Sequence, residues 1–255
     1  MKQFLMMLSL VLTMGLTTAY GQEAKTKLTL KASKLLIKPD SKVSFAVEGG
    51  NPSTTYKYKW TLPKQMKKLS ERGNKVVVKI ADEGNYNVKV KVESDDESDD
   101  VELTSNVEVS KTKKIELLSV GKKVVSCTGS VGQEKPDWLF DGTAVPDNYS
   151  KKWCEENRKE HEVVVDLGAG CELYGMKLYD CKTREPDYDN VQNFKLFVSE
   201  NNQDWTLAVS ETDNNDSVKD VSFPPVKGRY VKFVAYDPTK DFTIRLWELE
   251  LYGVK

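Results

Sequence analysis

Histidine is nearly absent from this sequence, with His161 its one example. There is no H-E-x-x-H, no G-x-S-x-G and no phosphate-binding glycine loop, so the signatures of zinc proteases, serine hydrolases and nucleotide enzymes are missing. An excess of charge of one sign is missing as well. The chain has 38 lysines and arginines against 39 aspartates and glutamates, a formal charge of −1, which offers no field for a polyanion such as nucleic acid. Cysteine is absent before Cys127, and Cys127, Cys154, Cys171 and Cys181 show no C-x2-C spacing, which argues against structural zinc. One apolar run stands out, Phe4 to Leu16, and it is too short for the roughly 20 residues that a membrane span needs. No amphipathic helix of useful length is visible.

What the N-terminus does contain is Lys2, the apolar run, and Ala19-Tyr20-Gly21, which puts small residues at −3 and −1 before Gln22. That order predicts a secretory signal peptide over residues 1–21. No cysteine lies near Gln22 to carry a lipid anchor. The expected product is secreted, or held in the periplasm or cell envelope, with no insertion into a membrane. In an oxidising compartment the four cysteines can pair, and three full pairings are open.

Residues 22–112 read as one unit. Apolar and lysine residues alternate in Lys27–Lys31, Val43–Val47, Tyr56–Leu62, Lys75–Ile80, Tyr86–Val92 and Val107–Val109, separated by Pro39-Asp40, Gly49-Gly50-Asn51-Pro52, Gly73-Asn74 and Glu83-Gly84-Asn85. Six or seven short strands at this spacing predict a small β-sandwich with a solvated, lysine-rich face. Glu93 to Asp100 holds six carboxylates in eight residues but lacks the glycine and closing glutamate of an EF-hand, so it reads as an exposed hairpin loop. The Tyr-x-Trp of YKYKWTLP, followed by the Gly-x-Tyr-x-Val of EGNYNVKV, resembles the PKD type of immunoglobulin-like domain. The resemblance implies a spacer without chemistry and Trp60 in the core. Lys111–Lys114 marks the boundary, too short for a flexible linker.

Residues 113–255 again read as strands, including Lys123–Ser126, Glu162–Asp166, Met176–Tyr179, Phe194–Val198, Trp205–Val209, Tyr230–Val234 and Leu246–Tyr252. Val163–Val165 is apolar throughout, as a strand buried on both faces requires. Arg229 has the planar fork to anchor a carbonyl or carboxylate. Trp153, Trp205 and Trp247 are expected in the core. The motif order is Trp138-Leu-Phe-Asp-Gly142, Lys152-Trp-Cys154, Val163–Gly168, Asn193–Ser199 with Trp205, Gly228–Phe233, and Trp247-Glu-Leu-Glu-Leu-Tyr-Gly253. It is similar to the discoidin, or coagulation-factor 5/8 type C, family, which includes the family 32 carbohydrate-binding modules. The whole chain is thus expected to be all-β, an immunoglobulin-like sandwich followed by a discoidin-like jelly roll.

The resemblance implies a structural calcium ion held by Asp141 and Glu248, with backbone carbonyls and loop hydroxyls filling a hard-oxygen shell to which Thr143, Asp147 or Ser150 could contribute. The loop from Asp141 to Trp153 is longer than the family's, and Lys151 falls where the family has threonine. The alternative is that Asp141 caps its own turn while Glu248 pairs with Arg245 or Lys240. The resemblance further implies a glycan site on the loops 180–190 and 236–242. Tyr188 and Phe242 would be platforms there, with Arg184, Glu185, Asp187 and Asn190 as polar partners. His161, just before the buried strand, is expected at the surface. The family's strand directions put Cys171 at the opposite end from the other cysteines, which disfavours a Cys171–Cys181 bridge across roughly 30 Å and leaves Cys154–Cys181 as the preferred pair. The implied function is a non-enzymatic, exported glycan-binding protein. Alternatively the same face holds a protein partner, as in an adhesin or assembly component, or the chain delivers a separate glycosidase to its substrate.

Overall fold

The computed structural model describes residues 26–95, 97 and 99–255. The expected signal peptide lies outside them, as do Asp96 and Ser98 of the acidic run. Alternation builds the first module. Val43, Phe45 and Val47 of β3 (Ser41–Gly50) turn inward, as do Val76, Val78 and Ile80 of β6 (Lys75–Ile80), while the lysines between them face water or the sheet margin. These strands lie between β1 (Thr26–Ala32) and β5 (Met66–Arg72) in one sheet. The facing sheet orders β2 (Leu36–Ile37), β8 (Val101–Val109), β7 (Gly84–Ser94) and β4 (Tyr56–Thr61). Val88, Val90, Val92 and Val107 are fully buried, each worth about 1.5–3 kcal/mol relative to exposure. Trp60 is half-buried at the side of this core. The acidic run caps the β7–β8 hairpin, where Asp100 Oδ1 accepts from the Ser94 N–H at 2.9 Å.

The second module is one connected sheet system. It comprises β9 (Glu116–Leu117), β10 (Lys123–Cys127), β11 (Trp153–Glu155), β12 (Glu160–Asp180), β13 (Phe194–Ser199), β14 (Thr206–Glu211), β15 (Val218–Tyr236) and β16 (Ile244–Val254). Two short 3-10 turns, Pro136–Phe140 and Cys181–Thr183, interrupt it. The long strands β12 and β15 each serve twice. Residues 160–166 of β12 pair with β10 and with Tyr230–Tyr236, whereas residues 171–179 pair with Val218–Gly228 and with β16. Val163, Val164 and Val165 are all buried, as a strand with a neighbour on either edge and cover on both faces should be. Arg229 grips Asp166 with two hydrogen bonds of 2.7 Å beside the register break. The core gathers Leu173, Met176 and Leu178 with Phe194, Phe233, Leu249 and Leu251, among others. Trp153 and Trp247 are fully buried, but Trp205 is only half-buried beneath the Lys232 ammonium, 4.7 Å from its ring.

Between the modules the chain is held by charge. Lys38 Nζ donates to the carbonyls of Lys111, at 2.6 Å, and Lys113, at 3.0 Å. Lys113 Nζ in turn lies between Glu108 of β8, at 3.0 Å, and Glu172 of β12. A register shift between Leu173 and Gly175 aims the buried Tyr174 hydroxyl at Glu108. No helix among the described residues is long and apolar enough to cross a membrane.

The Tyr252-Gly253 pair near the C-terminus shows how closely the strands approach. A Cβ on Gly253 would lie 2.4 Å from the Glu172 carbonyl and 2.8 Å from Leu118 Cδ1. Gly253→Ala should therefore destabilise by about 1–3 kcal/mol through overpacking against backbone, read as a lower urea midpoint at unchanged slope.

Candidate functional site

The site begins with one extra residue in β16. Tyr179 faces Glu248 and Asp180 faces Leu246, so Trp247 has no opposite number in β12. Ile244 and Leu246 belong to the core before this bulge, Leu249 and Leu251 after it. The consecutive side chains Trp247 and Glu248 are excluded from that core, yet neither is exposed. Both are covered by the long loop 141–152. Tyr149 leans on the Trp247 ring, 6.0 Å between centroids, and the Gly142 N–H donates to Glu248 Oε1 at 3.2 Å. Gly142 adopts φ +83°, which gives glycine a reason to be there.

Next to Trp247 sits Lys152, 5% exposed. Its ammonium donates to both oxygens of Glu185, at 3.0 and 2.8 Å, and lies 5.4 Å from the Trp247 ring and 5.8 Å from the Tyr188 ring. Burial lowers its pKa, but the Glu185 hydrogen bond and the charges around it outweigh burial, and the ammonium ends above the ordinary lysine value. On the other side of Tyr188 the Arg245 guanidinium stacks at 4.2 Å, itself held by Asp241 at 2.9 Å. The Asp241 carboxyl is pulled down to about 2 by that guanidinium. Arg184 donates to the Pro146 carbonyl at 2.8 Å and to Asp147 at 3.2 Å, with its plane 5.4 Å from Tyr149.

The expected ligand residues divide accordingly. Arg184, Glu185 and Tyr188 converge on this cluster, and Asp187 is exposed at its edge. Asn190 is buried and turns inward, its amide donating to the Asn215 carbonyl at 2.7 Å. Phe242 is exposed at φ +54°, with Lys159 rather than Tyr188 as its ring contact. Lys152, Tyr149 and Arg245 were not among the ligand residues expected from sequence. The unusual length of the 141–152 loop was the available signal for the first two.

His161 corrects the expectation of a surface residue. It is fully buried, because residues 161, 163 and 165 share the inward phase of β12. Its Nδ1 meets Glu155 at 2.9 Å, its Nε2 lies 3.2 Å from the Phe242 carbonyl, and its ring stands edge-on to Trp153. The imidazole thereby fixes the backbone of the strained Phe242.

Of the acidic pair, Glu248 is fully buried and Asp141 half-buried. Asp141 caps its own turn, accepting the Thr143 N–H at 2.7 Å. Glu248 takes neither Arg245, which faces Asp241, nor Lys240, which faces Asp189. Burial, then the neighbouring Asp141 charge, pushes the Glu248 carboxyl up to about 8, and its Oε2 has no hydrogen-bond partner among the described residues. A hard cation suits that combination: a desolvated carboxylate with a spare oxygen, a second carboxylate beside it, and a loop rich in oxygen donors. No group of three or more His, Cys, Asp or Glu side chains among the described residues is placed to hold a metal, so carbonyl oxygens would complete the shell. Thr143 is exposed in the same loop.

All four cysteines are free thiols, so the pair preferred if any bridge forms, Cys154–Cys181, is not bridged. Burial pushes the Cys154 thiol up to about 12 and the Cys171 thiol up to about 11, and raises Cys181 further. Cys171 donates to the Gly228 carbonyl at 3.2 Å, beside Glu172 and far along β12 from the loop cluster.

With this geometry in hand, the comparisons are direct. Residues 124–248 match the family described as F5/8 type C domain, and residues 27–107 match PKD domain. No curated protein sequence matches the chain. The fold is similar to the family 32 carbohydrate-binding module of Streptococcus pneumoniae EndoD at 17% identity, covering 53% of this chain and 98% of that one, with a TM-score of 0.47. It is also similar to chitosan-binding module 1 of a Paenibacillus chitosanase/glucanase, at 19% identity over 54% of this chain and 99% of that one, TM-score 0.45. The family 32 module of Clostridium perfringens NanJ, solved with galactose, shares 17% identity over 55% and 99%, TM-score 0.46. The expected architecture, an immunoglobulin-like sandwich followed by a discoidin-like jelly roll, is borne out.

Glu248 also makes stability depend on pH. Its folded pKa of about 8 lies above the ordinary glutamate value of 4.5, so the native state holds the extra proton and stability falls as pH rises between them. Asp180, buried and raised to about 7, acts in the same direction. In chelator, unfolding free energy should decline from pH 5 to pH 8, by at most about 1.4 kcal/mol per pH unit for each group. Glu248→Gln should flatten that slope in urea titrations, and an unchanged slope would contradict the assignment.

Proposed function

From a chain made of a PKD domain followed by an F5/8 type C domain, we propose a non-catalytic, exported glycan-binding protein that recognises carbohydrate through the loop end of its C-terminal sandwich. The observation that carries this reading is the convergence of Tyr149, Lys152, Glu185, Tyr188, Arg245 and Trp247 from separate segments. Rings supply flat apolar faces for the C–H side of a sugar, and paired guanidinium and carboxylate groups offer donors and acceptors for its hydroxyls. The groups that would drive bond-breaking are set aside. His161 is sealed behind Trp153, and the buried thiols are held protonated at neutral pH. Export rests on the pattern of residues 1–21.

Calcium belongs to the same reading. Asp141 and Glu248 would hold the ion, with Thr143 and loop carbonyls as further oxygens, and it would lock loop 141–152 onto β16.

Glycan-array screening of the full chain should show retention on carbohydrate. Lys152→Ala, which leaves Glu185 without its ammonium, should weaken the best glycan by about tenfold or more. An array with no retained glycan would refute the proposal. Calcium at about a hundred times its Kd should add about 2.7 kcal/mol to wild-type stability, reversibly with chelator, and Glu248→Gln should abolish the gain. A wild-type thermal midpoint indifferent to calcium would rule the ion out.

A further inference from the structure

The most exposed aromatic of the cluster is one that no expected site residue accounts for. Tyr149 is 46% exposed, whereas Trp247 beneath it is fully buried and Tyr188 is half-buried with Arg245 stacked 4.2 Å from its ring. Tyr149 also sits in the long loop 141–152. A loop of this length does not by itself hold a ring in place, because ordering it costs roughly 1–2 kcal/mol of backbone entropy per residue. Two contacts oppose that cost. The Trp247 ring supports Tyr149 from below at 6.0 Å, tilted by 50°. Arg184 reaches across from the neighbouring loop, donates to the Pro146 carbonyl and to Asp147, and lays its guanidinium 5.4 Å from the Tyr149 ring. The Nη1 of Arg184 is thereby committed to the protein. Its geometry is that of a strut.

Charge narrows the ligand. Each cation touching the aromatic cluster already faces a carboxylate: Lys152 faces Glu185, Arg184 faces Asp147, and Arg245 faces Asp241. Asp187 adds negative charge at the edge. A sugar carboxylate or sulfate would have to displace one of these pairs, and in the case of Lys152 would leave the half-buried Glu185 without its ammonium. Neutral hydroxyls meet no such penalty.

We infer that Tyr149 is the stacking platform of the site, that Arg184 is the positioning residue that holds it there, and that the site selects an uncharged saccharide. This rests on the glycan-binding reading and adds to it the platform, its support and the charge class of the ligand.

The test is isothermal titration of the full chain with the best neutral glycan from the array, alongside a matched glycan ending in a uronic or sialic acid. Tyr149→Ala should weaken the neutral glycan by about tenfold or more while Tyr149→Phe stays within about threefold, the scale of one lost aromatic contact. Both variants should remain folded, Tyr149→Phe at the wild-type thermal midpoint and Tyr149→Ala somewhat below it, because the alanine uncovers the Trp247 ring. Arg184→Ala should weaken binding by at least about threefold, and adding it to Tyr149→Ala should cause no further loss, since its effect passes through the ring. Full-strength binding by Tyr149→Ala, additive losses in the double variant, or preference for the acidic glycan would each overturn the inference and leave glycan binding standing. A wild-type chain that binds neither glycan would bring down both.

Discussion

An antiparallel strand presents alternate side chains to its two faces, and one inserted residue is the simplest way to put two neighbours on the same side. In β16 that inserted residue is Trp247, and the loop end of the second sandwich depends on it. With Trp247 and Glu248 both turned away from the core, the strand carries a large apolar ring and a carboxylate onto a surface that would otherwise bear one of them. Neither is stable in that place uncovered. The 141–152 loop covers both, and it brings Lys152 in with them. An ammonium at 5% exposure costs several kcal/mol in desolvation, offset only by good carboxylate geometry, which Glu185 supplies with both oxygens. Glu185 fixes the loop that carries Tyr188 and Arg184, and Arg184 returns to the first loop at Pro146. The bulge, the buried cation and the two loops therefore support one another in a closed circuit.

Such a circuit has consequences for recognition. A ligand landing here would meet side chains already ordered by contacts with one another, so little conformational entropy would be lost on binding. The same ordering extends to the third loop. Phe242 occupies a left-handed backbone conformation that costs a bulky residue of order 1–3 kcal/mol, and it is sustained by the His161 imidazole and by hydrogen bonds through Thr239 and Asp241. His161 is in turn seated by Glu155, which also accepts from Thr128 and faces Arg158. The polar network under Phe242 and the ionic one under Tyr188 are built alike. Each puts an exposed or half-exposed ring over a foundation of paired charges.

How much of this could be read from the sequence follows from how local each signal is. Strands with an apolar inward phase, such as Val43–Val47 or Val163–Val165, announce themselves. The edge strand β5 does not: in Met66–Arg72 only Met66 is buried, so no alternation exists to be seen. β2 is two residues long and is defined by its parallel pairing with β8, a long-range fact. His161 was misplaced because its polarity was weighed above the period-two pattern that puts it in phase with Val163. Glu185 and Tyr188 were legible as residues of a polar loop, but their partners, Lys152 at the end of the 141–152 loop and Arg245 of β16, meet them only in three dimensions. Cys154 and Cys181 were paired on strand direction alone, whereas their sulfurs are placed by separate elements, β11 and the turn after β12, whose spacing no sequence pattern encodes.

The far end of β12 extends the argument to the other module. There, too, a register shift re-aims a side chain: at Leu173 to Gly175 it turns Tyr174 out of its own core and against Glu108. Lys113 bridges Glu108 and Glu172, and its ammonium is raised and the Glu172 carboxyl lowered chiefly by the hydrogen bond between them. Tyr174 is 2% exposed, so parting the modules would wet its ring and strip Glu108 of two donors together. Lys38 adds a further restraint by holding two carbonyls of the connecting segment. A first module joined by a loose tether would let the second sandwich swivel, and its loop face would sample every direction. Joined in this way, β12 carries the orientation of the first module from Glu172 to Asp180, where the Cys181–Thr183 turn begins and the loop that bears Arg184, Glu185 and Tyr188 leaves the sheet.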